Sequence, residues 1–135
     1  MDYRNLSENE VTERSLQSVL AKNFSENEID DGDLVISYDG IVAVVCVEHD
    51  RNLIQFISKW PTDGSFSKVA ASVANHWNST KKFGRASYHS DENAFYFDYC
   101  LAFNDGVNFK NFNESLGWFF ATAKGFNKIL AGEED

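Results

Sequence analysis

Five side chains in this sequence have the chemistry for metal binding or nucleophilic attack: Cys46, His49, His76, His89 and Cys100. Metal ligands normally cluster at short spacing, and here only Cys46 and His49 do so. Three residues apart on an extended strand, they point to opposite faces. The pattern therefore predicts scattered core and turn residues rather than a metal centre. Either thiol could meet a histidine in space and serve as a nucleophile. Both, however, fall inside strand-like runs, where a thiol is protonated and inert, and neither precedes a glycine-rich elbow or a helix start. Asp30, Asp31 and Asp33 lack the alternating donors and distal bidentate Glu of a calcium loop, so they read as a helix-to-strand turn. No glycine-rich phosphate-binding pattern occurs. These residues predict no catalytic centre, no resident metal and no cofactor.

Two other sets suggest contacts rather than reactions. Asn75, Asn78 and Arg85 lie around the end of a helical segment. They could form a polar binding patch. The mechanical reading has Asn78 closing the helix in a left-handed conformation, with Asn75 or Arg85 bonding nearby backbone. The second set is Gly117, Ala121 and Gly125, at i, i+4 and i+8, flanked by Trp118, Thr122 and Ile129. A solvent-facing helical surface would carry charge there. Small residues in a row admit a second helix at close range, and Trp is enriched at binding hot spots. This face is expected to pack on another helix, either in a homodimer or client complex or against the first helix of the same chain. A third possibility is a small-ligand pocket lined by Trp60, Trp77 and Tyr96 or their neighbours.

The elements that must position these residues follow from apolar periodicity. Phe66, Val69, Ala70, Val73, Ala74 and Trp77 form one helical stripe. Phe109, Phe112, Leu116, Phe119, Phe120, Ala123, Phe126 and Leu130 form another. The spacing predicts helices from Ser65 to Asn78 and, capped by Asn108, on to Leu130. Ser7-Glu8-Asn9-Glu10 has the capping-box form and predicts a first helix reaching Asn23, with a thinner stripe of Val11, Leu16, Val19 and Leu20. Leu34–Tyr38, Ile41–Glu48 and Leu53–Trp60 read as an antiparallel meander, with Asp39-Gly40 as a tight turn. Phe83–His89 and Ala94–Leu101 read as a fourth and fifth strand. Residues 1–6 and 131–135 read as loose ends of one domain spanning 1–135. The expectation is α+β: a single five-stranded antiparallel sheet with three helices on its faces, in the order α-β-β-β-α-β-β-α.

Composition narrows the function classes. The 12 Phe and 43% hydrophobic content suit a packed core, and 12 basic against 21 acidic residues give a net charge of −9. A negative field opposes phosphate backbones and anionic lipid. Lys81, Lys82 and Arg85 make the only compact basic cluster. Nucleic acid and membrane are therefore not expected partners. The opening Met1-Asp2-Tyr3-Arg4-Asn5 has no apolar segment, and the run Ile41–Val47 is too short to span a bilayer. A cytoplasmic protein with reduced, buried cysteines is expected.

Ala74-Asn75-His76-Trp77-Asn78 followed by Phe83-Gly84-Arg85-Ala86 resembles the Asn-x-x-Asn…Phe-x-Arg-Ala signature of YbjN-like proteins. The aromatic strand Tyr96-Phe97-Asp98-Tyr99 and the Gly-containing loop before a long terminal helix extend the likeness over roughly Asp33 to Leu130. The resemblance implies a bacterial sensory transduction regulator with a fold similar to that of type III secretion chaperones. Those chaperones are homodimers that hold an unfolded partner segment. It implies no reaction. The combined expectation is a non-enzymatic, chaperone-like or adaptor module, homodimeric, that binds a protein or peptide segment. The alternative is a small-ligand sensor domain.

Overall fold

The computed structural model describes residues 5–62, 69–81 and 83–131. Eight strands and three α-helices follow one another as β1 (Asn5–Leu6), α1 (Glu13–Ser18), β2 (Asn27–Asp30), β3 (Asp33–Tyr38), β4 (Ile41–Glu48), β5 (Leu53–Pro61), α2 (Ala70–Thr80), β6 (Arg85–His89), β7 (Ala94–Ala102), β8 (Val107–Asn108) and α3 (Phe109–Leu130). Six strands form one antiparallel sheet in the order β2-β3-β4-β5-β7-β6, and β1 pairs with β8 in a separate two-stranded sheet. The fold is α+β with three helices, but the expected single five-stranded sheet is wrong on two counts.

The first is β2. Asp30-Asp31-Gly32 reads in sequence as a break, yet Asp30 and Asp33 are register partners. Asp31 (φ 51°) and Gly32 (φ 87°) both take left-handed backbone between them, the conformation a two-residue hairpin turn requires. The turn therefore joins two strands instead of ending a helix. The second is β1. Residues 5 and 6, read as loose, pair with Asn108 and Val107. The chain passes so close to Gly106 (φ 90°) that a Cβ there would lie 2.2 Å from the Leu6 carbonyl oxygen.

The first helix is also shorter than expected. Glu10 Oε1 accepts from the Ser7 N–H at 2.8 Å within the predicted capping box, but only a 3₁₀ turn, Glu8–Glu10, follows. A second, reciprocal box restarts the chain as α1: Ser15 N–H donates to Thr12 Oγ1 at 3.0 Å, and Thr12 N–H donates to Ser15 Oγ at 2.8 Å. Beyond α1, Asn113 of α3 holds the chain from both sides. Its Oδ1 accepts from Ala21 N–H at 2.7 Å and its Nδ2 donates to Val19 O at 2.9 Å. A 3₁₀ turn at Lys22–Phe24 then seats Phe24 against Phe120 and Tyr38.

The core lies on one side of the sheet. Alternation sends Leu34, Ile36, Ile41, Ala43, Val45, Ile54, Phe56, Ala86, Phe95 and Phe97 inward, where they are buried with the α3 residues Phe112, Leu116, Phe119, Phe120, Ala123 and Phe126. Aromatic rings stitch the layers together. Phe56 meets Phe112 and Phe119 edge-on at 6.0 and 5.6 Å, and Phe97 stacks on Phe126 at 5.6 Å; such pairs add to the stability from burial alone. An apolar β4 predicts helices on both faces of the sheet. Instead the alternate β4 positions, Val42, Val44 and Cys46, are not buried, and Val42 is 51% exposed. Among the described residues, no helix is long and apolar enough to cross a membrane. Ser65, the expected cap of the second helix, together with Phe66 and Lys82, lies outside the described residues.

Candidate functional site

The polar set at the end of α2 separates into three environments. Asn78 sits inside the last turn of α2 rather than closing it in a left-handed conformation, since the helix continues to Thr80. Its carboxamide reaches the outer edge of β6. Nδ2 donates to Ala86 O and Oδ1 accepts from Ala86 N–H, both at 2.9 Å. One side chain thus satisfies both backbone groups of an edge-strand residue, as a neighbouring strand would. Arg85 pairs with Asp98 at 3.2 Å, directly across the β6–β7 register. Asn75 is exposed on α2. These residues do not converge on a common point.

The α3 set also divides. Gly125 faces the Trp77 ring, 3.7 Å from where a Cβ would stand. The small residue thus lets α2, rather than the first helix, approach α3. Ile129 is half-buried against the core, and Thr122 turns its hydroxyl back to the Trp118 and Phe119 carbonyls at 2.8 and 3.1 Å. The other half is open. Trp118 is 64% exposed, Ala121 is exposed, and no described atom lies within 4 Å of a Cβ at Gly117. With Glu114, these three residues line a shallow depression.

Trp60, Trp77 and Tyr96, the side chains named for a small-ligand pocket, do not share one. Trp60 and Trp77 lie on the core side, each edge-on to Phe97 and Phe126 at 5.3–6.3 Å. Tyr96 alternates to the opposite face, where its hydroxyl donates to Glu92 at 2.7 Å and its ring carries Lys59 Nζ at 5.6 Å. Trp60 Nε1 donates to Asn127 at 3.0 Å. Trp77 Nε1 is buried and meets no acceptor among the described residues.

The cysteines and histidines likewise stay apart. Cys46 Sγ donates to Asp33 at 3.4 Å. Burial, reinforced by the negative charge of Asp33, pushes its pKa up to about 12. Cys100 is exposed rather than buried as expected, and partial desolvation followed by Asp98 raises its pKa as well. Both thiols are protonated at neutral pH, the reverse of an activated nucleophile. His49 packs edge-on against Phe103. Among the described residues, only His89, Asp91 and Glu92 bring three metal-type donors within 4.8 Å of one another. All three are exposed, and Glu92 is already engaged by Lys59 at 2.8 Å.

Among the described residues the arrangement offers surfaces rather than a convergent reaction centre. No curated protein matches the chain. A solved structure does: the crystal structure of YbjN from E. coli, described as "a putative transcription regulator", superimposes with a TM-score of 0.61 at 17% identity over 86% of this chain and 85% of that one. At that identity the likeness establishes the fold. Residues 11–129 match the family described as "Putative bacterial sensory transduction regulator". The chain belongs to the YbjN family.

Proposed function

We propose that this protein is a non-enzymatic regulatory module, adaptor or chaperone-like, that works as a homodimer and binds a protein segment on the open half of α3. The observation that carries this reading is Gly117. Glycine inside a helix costs about 1 kcal/mol relative to alanine. Gly125 has an internal use, since it admits Trp77, but no described residue fills the space beside Gly117. A bare backbone next to an exposed Trp118 suits close approach by an incoming helix or strand. The indole then supplies a large rigid contact of the kind that dominates interfaces. Glu114 at the rim gives that segment a reason to carry Lys or Arg.

The test is site-specific photo-crosslinking. A benzophenone side chain at position 118, in the full chain, should trap a discrete polypeptide in native lysate. Gly117→Leu, which fills the depression, should abolish that adduct while leaving the melting temperature no lower than wild type. An adduct that survives Gly117→Leu, or none at all, would count against this site.

A further inference from the structure

The face of the large sheet away from the helices carries a pattern that the α3 site does not use. Side chains on directly paired residues of an antiparallel sheet lie on the same face. One unbroken row can therefore be traced across all six strands. Glu28 of β2 stands beside Val35 of β3, Val35 beside Val44 of β4, and Val44 beside Ile57 of β5. Ile57 stands beside Asp98 of β7, and Asp98 beside Arg85 of β6. None of the six is fully buried, and both outermost residues, Glu28 and Arg85, are exposed. The row thus runs from an acidic edge, through three aliphatic residues, to an Asp98–Arg85 ion pair whose exposed cation forms the opposite edge. Val42 adds a 51% exposed aliphatic group beside its centre.

We propose that this face is the homodimer interface, two sheets packing face to face about a twofold axis parallel to the strands. This names the surface for the dimer in the functional reading above and rests on that reading. A second copy is the occupant that the charges select. With the axis along the strands and centred between β4 and β5, Val44 faces Ile57 of the other copy, Glu28 faces Arg85 at both ends, and Val35 faces Asp98, which keeps Arg85 of its own chain as counter-ion. With the axis across the strands, Glu28 would face Glu28, Asp98 would face Asp98 and Arg85 would face Arg85, a like-charge arrangement that disfavours association. Of these two isologous contacts, only the first sets opposite charges against each other at the edges.

The area suffices. Six strands at about 4.8 Å and five residues at about 3.3 Å give a footprint of roughly 500 Å² per copy. That makes about 1,000 Å² in total, at the lower limit for a specific interface. An interface of that size suits a reversible rather than a permanent dimer.

The experiment is sedimentation equilibrium of the full chain over roughly 1–100 µM. Wild type should show a monomer–dimer equilibrium. Glu28→Arg sets arginine against arginine at both ends of the interface, and Arg85→Glu sets glutamate against glutamate there. Each variant alone should dimerise at least about tenfold more weakly. An equimolar mixture should recover wild-type association, because the mixed dimer has opposite charges at both ends. A monomeric wild type, single variants that dimerise normally, or a mixture that stays monomeric would each overturn the interface. Glu28 lies on a short exposed edge strand, so Glu28→Arg decides the matter even if Arg85→Glu, which places a second acid beside Asp98, does not fold. Loss of the dimer in Trp118→Ala but not in Glu28→Arg would assign dimerisation to α3 and also overturn the proposal. A monomeric wild type that still crosslinks a polypeptide from position 118 would leave the α3 reading standing. A charge-restorable dimer without that adduct would remove the α3 reading and leave the interface.

Discussion

At the β6 edge, a single carboxamide holds both the N–H and the C=O of Ala86. Asn78→Ala releases two backbone groups of an edge strand at once and should lower stability by about 2 kcal/mol, measurable by urea denaturation. Asn75→Ala, on an exposed helix position, should change it by less than about 0.5 kcal/mol. In sequence Asn75, Asn78 and Arg85 read as one group, and nothing in their spacing separates them. What separates them is the backbone each one meets. Asn78 finds its partner across a loop, Arg85 finds Asp98 on the next strand, and local pattern encodes neither. Cys46 makes the same point for titration. Its thiol proton is held up to about 12 by burial and by Asp33, whereas an unfolded thiol ionises near about 8.5. Between these values the unfolded chain binds fewer protons than the folded one. Stability from this group is therefore full below the lower value and falls as pH rises through the interval. At pH 8, a maleimide should label Cys100 well ahead of Cys46, and Asp33→Asn should narrow the gap. Equal rates in the native protein would contradict this account of the thiol.

At the level of elements, glycine to alanine separates a geometric requirement from an open surface. Gly84, at the entry to β6, has φ 81°, and a Cβ there would lie 2.2 Å from the Phe97 ring. Left-handed backbone and overpacking act together, so Gly84→Ala should destabilise by about 3 kcal/mol. Gly117→Ala meets no described atom and removes a helix-interior glycine, so it should stabilise by about 1 kcal/mol. Opposite shifts in melting temperature would confirm the assignment, and shifts of the same sign would contradict it. Most elements are legible in the sequence because their signals are local. Asn108 caps a helix that ends at Leu130, and Ile41–Glu48 is a strand over its full predicted length. The elements that escape are those held by distant chain. Four-residue β2 is too short to alternate convincingly and exists through its pairing with β3. Two-residue β1 exists through β8. The expected long first helix breaks up because Asn113, far along the chain, anchors the segment after α1.

On the scale of the whole molecule, the helices crowd one face of the sheet and, among the described residues, nothing covers the other face or part of the outer surface of α3. A strand apolar on both sides reads in sequence as covered on both sides. The sequence alone does not distinguish cover by the chain's own helices from cover by another molecule. The same ambiguity divides the α3 stripe: Gly125 is answered by Trp77 from within, and Gly117 by nothing described. The proposed regulatory protein-binding module would use both surfaces, one for a second copy and one for a partner. A small-ligand sensor requires a pocket that Trp60, Trp77 and Tyr96 do not form, because Tyr96 lies across the sheet from the other two. Native mass spectrometry of the protein purified from its own lysate separates these classes most directly. The account predicts a bound polypeptide in wild type that is lost in Gly117→Leu. A tightly held small molecule with no polypeptide, unaffected by Gly117→Leu, would contradict it.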